Sequence, residues 1–361
     1  MTLDTAHAVA EARAIGFDMA GVLTRGDSDH MAHFRTWVDS GLHGEMAYLA
    51  RTDAVSRRSD LDRTLPGFQS ALVVAHVYGD DEPATPPRDP ARAIVARYAR
   101  GRDYHHVVGD KLEVLADRLE HLAGRPVRRR AYVDTGPLLE RELAARAGLG
   151  WFGRNTMLIH PRRGSYFFLG VLLTDLPLEP TAPFRDDHCG TCRRCLDACP
   201  TGALLGRDER GAPVMDARLC ISYLTIELKG PIPEELRPAI GNRVFGCDIC
   251  QEVCPWNEKF SEPTAEPAYA PHDGLDGASL IDLATRLLDM SGKAFLREFR
   301  DSPVSRARRN GLLRNVCVAL GNWGAEAAVP VLERAARDRS ELVCEHARWA
   351  LKRIESVHPV R

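Results

Sequence analysis

The chain has 361 residues, 44% of them hydrophobic and 27% charged, an ordinary globular balance with length for two or three domains. Its formal net charge of -2 excludes the overall basic field of a general nucleic-acid binder and leaves only local patches open. The N-terminus, MTLDTAHAVAEARAIGFDMAG, has neither a basic start followed by an apolar run nor a twin-arginine pair. No stretch approaches the ~18–20 apolar residues of a membrane span, so a cytoplasmic protein with no membrane partner is expected.

Residues 1–180 read as a mixed α/β domain. The opening stretch predicts a short helix ending near Gly16, and the apolar run Ala71 to Tyr78 has strand length. Val108, Leu112, Leu115, Leu119 and Leu122 recur at helical spacing, which predicts an amphipathic helix over 104–123, stopped by Gly124 with Pro126 beyond. Val127 to Val133 reads as a strand running into Asp134-Thr135-Gly136-Pro137, with Pro137 starting a helix from Leu138 to Ala147. Tyr166 to Thr174 is a further strand. Pro177, Pro180 and Pro183 mark a linker, a cysteine-rich domain covers 181–265, and Pro263, Pro267 and Pro271 mark a second linker. The tail, 275–361, reads as all-helical. Val318-Ala319-Leu320 and Trp349-Ala350-Leu351 recur one repeat length apart, as in HEAT-like helical pairs; a small helical cap over the core is the alternative.

Ten cysteines are present, eight of them between Cys189 and Cys254. In a reducing compartment this clustering favours metal ligation over disulfides. The first motif is Cys189-x2-Cys192-x2-Cys195-x3-Cys199-Pro200, the second is Cys247-x2-Cys250-x3-Cys254-Pro255, and Cys220 lies between them. In bacterial two-cluster ferredoxins the fourth cysteine of such a run ligates the other cluster. That rule assigns Cys189, Cys192, Cys195 and Cys254 to one 4Fe–4S cluster and Cys199, Cys220, Cys247 and Cys250 to a second. Zinc ribbons also use paired C-x2-C, but they do not usually need a run of four cysteines closed by proline. Cys317 and Cys344 sit on helical patterns and read as buried core thiols. Two neighbouring clusters make a wire for single electrons, and the N-terminal domain is the natural place for its end.

Further segments carry a family resemblance. They are Arg57 before Leu65-Pro66-Gly67, the run Tyr98-Ala99-Arg100-Gly101-Arg102-Asp103-Tyr104-His105, and Val133-Asp134-Thr135-Gly136-Pro137-Leu138-Leu139-Glu140-Arg141. Gly148-Leu149-Gly150-Trp151-Phe152-Gly153-Arg154-Asn155-Thr156, Gly164 to Gly170 and Cys220 to Thr225 follow. With the eight cysteines, they resemble the epoxyqueuosine reductase family, tRNA-modifying enzymes that use cobalamin and two 4Fe–4S clusters. The likeness covers about residues 45–260, and the tail matches in kind. Arg154 stands where lysine is common in that family.

The resemblance implies a cobalamin-binding N-terminal domain, a ferredoxin-like cluster domain and a HEAT-like tail. It implies the last step of queuosine synthesis, in which an epoxide on a tRNA wobble base becomes an alkene at the cost of two electrons and two protons. Asp134 is then the general acid, with its pKa raised by burial; capping of the following helix is its plainer use. Arg57, Arg97, Asp134, Asn155 and Ser222 become candidate cobalamin contacts, and His105 is read as structural or substrate-facing. Lys229, Arg306, Arg308, Arg309 and Arg314 are candidate tRNA contacts; further arginines at 125, 128–130 and 162–163 read as a second patch or as a solvated face. The expected partners are tRNA and a low-potential donor of flavodoxin or ferredoxin type, and a monomer is expected. The rival readings are a cobalamin-dependent reductive dehalogenase-like enzyme, which usually carries a twin-arginine signal, and a plain 4Fe–4S electron carrier, which needs no large N-terminal domain.

Overall fold

Asp4 opens the first helix. Its carboxylate accepts a hydrogen bond from the backbone N–H of His7, and α1 (Thr5–Ala14) buries Ala8 and Ala12. The cap satisfies an N–H that every helix start leaves unpaired. The computed structural model describes residues 3–26, 28–83 and 89–357. After α1 come β1 (Met19–Thr24), α2 (Met31–Asp39), α3 (Thr52–Ser59), β2 (Ser70–Val77) and β3 (Ile94–Val95). They are followed by α4 (Tyr104–Ala123), β4 (Arg129–Tyr132), α5 (Glu140–Arg146) and β5 (Phe167–Thr174).

Four of the strands form one antiparallel sheet in the order β1-β2-β5-β4. β2 is buried along its whole length. Alternation along a strand sends successive side chains to opposite faces. Leu72 and Val74 accordingly pack with Ala8, Ala12, Leu112 and Leu115 of α1 and α4. Val73 and Ala75 pack with Leu143 and Ala144 of α5. Leu112, Leu115 and Leu119 are almost completely buried, each worth about 1.5–3 kcal/mol. α4 ends where the sequence predicts, at Gly124 in the left-handed conformation with φ +64°.

Two expectations shift. β1 was not foreseen, because six residues interrupted by Gly21 give little periodic signal. The helix after the DTGP segment begins at Glu140, not Pro137. Asp134 takes φ +57° and Leu139 takes φ -94°, ψ 68°, so the turn runs on and leaves no helical backbone before Glu140.

The cysteine segment contributes α6 (Ile221–Ile226) and β6 (Arg243–Phe245). β6 pairs in parallel with β3, far back in the chain. The tail then supplies α7 (Leu280–Asp289), α8 (Arg308–Trp323), α9 (Val329–Ala335) and α10 (Glu341–Val357). Gly321 on α8 lies so near α10 that a Cβ there would come within 2.9 Å of Ala350. Cys317 and Cys344 are buried, as expected. Ala93, Val95, Ala99 and Phe245 share one core with Leu280, Phe295, Leu313 and Val316 of the tail. The consecutive segments therefore interlock. Among the described residues no helix is long and apolar enough to cross a membrane.

Candidate active site

The eight clustered cysteines are free thiols gathered in two groups. Cys189, Cys192, Cys195 and Cys254 line a small hollow together with Arg154, His188, Trp256 and Lys259. Cys199, Cys220, Cys247 and Cys250 line a different and much larger cavity of about 1170 Å3. These are the two sets of four that the ferredoxin rule predicts. Among the described residues, no three His, Cys, Asp or Glu side chains draw in around a single ion. Burial pushes the thiols of Cys220, Cys250 and Cys254 up, and Cys247 to about 12. Ligation must therefore displace protons, since iron binds the thiolate.

The large cavity joins the second cysteine group to the DTGP turn. Asp134, Thr135, Glu140, Tyr104, Asn155, Ser222 and Arg306 also line it. The turn is tight: Thr135 N–H donates to the Val133 carbonyl at 2.6 Å, and a Cβ on Gly136 would collide with the Tyr132 ring at 2.3 Å. Asp134 is left with its side chain 53% exposed. Its Oδ2 lies 3.5 Å from His105 Nε2 and 3.8 Å from Arg306 Nη1. His105 Nδ1 in turn lies 2.6 Å from Asp103 Oδ1, and the same Asp103 oxygen caps α4 by accepting from the His105 backbone N–H at 3.0 Å. Tyr104 stacks on the His105 ring at 4.1 Å and on Phe168 at 4.2 Å, closing this corner of the cavity.

The proton inventory differs from the sequence expectation. Burial alone would raise Asp134, but the approach of His105, with charge from Arg306, outweighs it and holds the carboxyl below its ordinary value. Burial would lower His105, yet Asp103 and Asp134 push it up to about 9. Glu140 is pushed up to about 8, first by burial and then by the charge of Asp134. At neutral pH the site thus holds an Asp134 carboxylate, a His105 imidazolium and a neutral Glu140 acid. The proton expected on Asp134 sits on His105 beside it.

The remaining predicted residues separate by environment. Asn155 and Ser222 line the cavity, and Asn155 Nδ2 donates to the Cys250 carbonyl at 3.2 Å. Arg57 faces solvent, and its neighbour Arg58 lines the cavity in its place. Arg97 is corrected to an internal role. Its side chain pairs with Asp80 at 3.0 Å, and its backbone N–H donates to Asp248 at 2.7 Å, between Cys247 and Cys250. It anchors the inner cysteine loop.

The tail arginines divide in the same way. Arg306 lies at the cavity, paired with Glu227 at 2.8 Å; Arg308 is exposed two residues on, and the exposed Lys229 approaches in space, its Nζ donating to the Arg306 carbonyl at 3.5 Å. Lys229 Nζ donates to the Ile226 carbonyl at 3.0 Å. Arg314 is 1% exposed, and its guanidinium donates to the carbonyls of Leu224, Leu228 and Gly230. Arg309 pairs with Asp338 at 2.7 Å and donates to the Leu287 carbonyl. Neither Arg309 nor Arg314 presents its charge outward: Asp338 holds Arg309, and Arg314 lies in the stretch of α8 from Leu312 to Gly321 that is buried on every side.

Sequence reasoning passed over Arg58, Thr156 and Tyr48 at this cavity. Arg58 Nη1, Thr156 Oγ1, Glu140 Oε1, Glu142 Oε1 and His30 Nδ1 are buried polar atoms with no hydrogen-bond partner, and all five residues line the cavity. Buried polar groups are normally satisfied. Such a set, in a space larger than a usual small-molecule pocket of about 300–1,000 Å3, fits a bulky ligand fringed with amide and other hydrogen-bonding groups. Tyr48, 44% exposed, stands at the cavity as a free aromatic face.

Comparisons with known proteins agree with this arrangement. A family model described as "Epoxyqueuosine reductase QueG, DUF1730" matches residues 58–135, and one described as a "4Fe-4S double cluster binding domain" matches residues 188–257. The chain is 44% identical over 346 residues to the epoxyqueuosine reductase of Pseudomonas aeruginosa, covering 94% of this chain and 92% of that protein. It is 37% identical over 340 residues to that of Escherichia coli, covering 93% and 86%. A crystal structure of an epoxyqueuosine reductase with a tRNA-Tyr epoxyqueuosine-modified stem loop superposes with TM-score 0.85 and 32% identity, over 97% of this chain and 89% of that one.

Proposed function

The chain belongs to the epoxyqueuosine reductase family, and we propose that it reduces epoxyqueuosine to queuosine at the wobble position of tRNA with cobalamin held in the large cavity. The observation that carries this reading is that one cavity brings together the inner cysteine group and Asp134, which is backed by His105. Electrons and protons can then meet at one substrate.

The chemistry sets the requirements. Opening the epoxide to an alkene breaks two carbon–oxygen bonds, consumes two electrons and two protons, and releases water. Bound cobalamin supplies a strongly reducing cobalt centre, and the protein supplies position, dryness and protons. Arg58, Asn155, Thr156 and Ser222 would hold it, since their polar groups face the cavity and those of Arg58 and Thr156 lack partners. The outer cysteine group would hold the cluster that accepts electrons from a donor of flavodoxin or ferredoxin type, and the inner group would hold the one that delivers them at the cavity wall.

Asp134 and His105 act as one acid. The His105 imidazolium holds the proton, and Asp134, which lies in front of it at the cavity, relays that proton to the departing oxygen. Asp103 keeps His105 charged by accepting at Nδ1. Arg306, Arg308 and Lys229 meet the phosphates flanking the modified nucleotide, and Tyr48 offers a stacking face to an unpaired base. Three domains, over residues 1–180, 181–265 and 275–361 with the last HEAT-like, a monomer, and a cytoplasmic location complete the reading.

An anaerobic turnover assay tests it. Protein carrying both clusters and cobalamin, given a low-potential reductant and epoxyqueuosine-containing tRNA, yields queuosine. No product from fully loaded protein overturns the assignment.

A further inference from the structure

Glu140 has no part in the account so far, and its surroundings are unusual. It opens α5 directly after the DTGP turn. The backbone N–H of Asp134 lies near its carboxyl and favours the charged form, against burial. Its Oε1 is buried, lacks any partner and belongs to the cavity wall. Asp134 needs such a latch, because a left-handed backbone at a residue other than glycine, here at φ +57°, persists only where neighbours enforce it.

We propose that Glu140 is the second acid of this site: one carboxyl oxygen pins the Asp134 turn, and the other, Oε1, delivers a proton to the oxygen leaving the substrate. The proposal rests on the epoxide-reduction reading above. The balance requires two proton donors. Two electrons arrive from the clusters, both carbon–oxygen bonds break and one carbon–carbon double bond forms. Both protons end on the same oxygen, which departs as water. The Asp134–His105 pair accounts for one proton as the ring opens. Glu140 supplies the other, becomes a carboxylate and is reprotonated from solvent.

The groups facing Glu140 suit this use. Asp134 on the turn is anionic and disfavours a second negative charge, while burial acts the same way. His105 and Tyr104 from α4, Arg58 from α3 and Arg141 on its own helix complete the surround. Arg141 is drawn off toward the Thr156 carbonyl, to which it donates. Among the described residues no cation pairs with the Oε1 side, so the neutral form prevails until the pH passes about 8.

Glu140→Gln tests this, because glutamine can still accept from the Asp134 N–H but cannot release a proton. Two readings are taken. In cobalamin-free protein, infrared difference titration shows a protonated-carboxyl band at neutral pH that disappears near pH 8 in wild type and is absent in the variant. In loaded protein with normal iron and cobalamin content, single-turnover reduction falls about 10²-fold, and the limb of the pH profile near 8 is lost while the one near 9 stays. Glu140→Asp retains the acid at a shorter reach and restores part of the rate. A missing carboxyl band, or a wild-type rate in Glu140→Gln, overturns the proposal. Wild-type protein that makes no queuosine defeats the epoxide-reduction reading instead, and the infrared result stands apart from it.

Discussion

One wall of the cavity is made of four thiols from three short stretches of the cysteine segment, whereas the corner around the DTGP turn is made of oxygen and nitrogen groups that hold or exchange protons. Burial pushes both sets toward neutrality, and they respond differently. For Cys220, Cys247 and Cys250 burial wins, outweighing even the charge of Arg243 near Cys247, and iron must replace their protons. At the DTGP corner, ion pairing wins for Asp134 and His105, and burial wins for Glu140. The electron side and the proton side are thus built from separate parts of the chain and can be disabled separately.

The sharpest way to break the comparison is at the electron side. Cys220→Ala removes one thiol of the inner group. It should abolish turnover and cut bound iron from about eight to about four per chain, read by anaerobic iron analysis, while the outer cluster survives. Asp134→Asn attacks the proton side alone. It should keep full iron and bind cobalamin, yet lose about 10²–10⁴-fold in turnover; a wild-type rate would remove Asp134 from the mechanism.

Asp103→Asn acts one step further back and more weakly. Because Asp103 raises His105, its loss lowers the pH at which His105 gives up its proton. The basic limb near pH 9 should move to lower pH, with a smaller loss of rate at pH 7 than in Asp134→Asn. Smallest is the effect on binding at the cavity mouth. Arg306→Ala should weaken tRNA binding and reduce its salt slope by about one. Arg314→Ala should leave that slope alone and instead lower the melting temperature, since it strips three buried carbonyls of their donor.

Much of this was legible in the residues. α4 follows from the spacing of Val108, Leu112, Leu115 and Leu119 and from Gly124. The two sulfur sets follow from the Cys-Pro-closed runs and a ligation rule. Local pattern sufficed in both, because neighbours in sequence make the contacts. It failed where partners come from afar. Arg97 looks like any exposed basic residue until Asp80 and Asp248 are beside it. Arg309 and Arg314 read as surface charge because α8 carries polar residues on faces that the interlocked core happens to cover. Asp134 was expected to be protonated by burial, and only the approach of His105 and Arg306, at 3.5 and 3.8 Å, reverses that. Arg58 was missed by one residue, since helical phase decides whether Arg57 or Arg58 turns inward and the weakly periodic α3 does not announce it.

The most direct measurement follows the electrons. Wild-type protein, reduced under anaerobic conditions and freed of excess reductant, is mixed with epoxyqueuosine-containing stem loop, and the reduced-cluster paramagnetic signal is recorded alongside queuosine formation. Clusters that reoxidise in step with product, only when cobalamin is bound, are the predicted result. Product that forms while the clusters stay reduced, or cluster oxidation by substrate with no cobalamin present, would contradict the account.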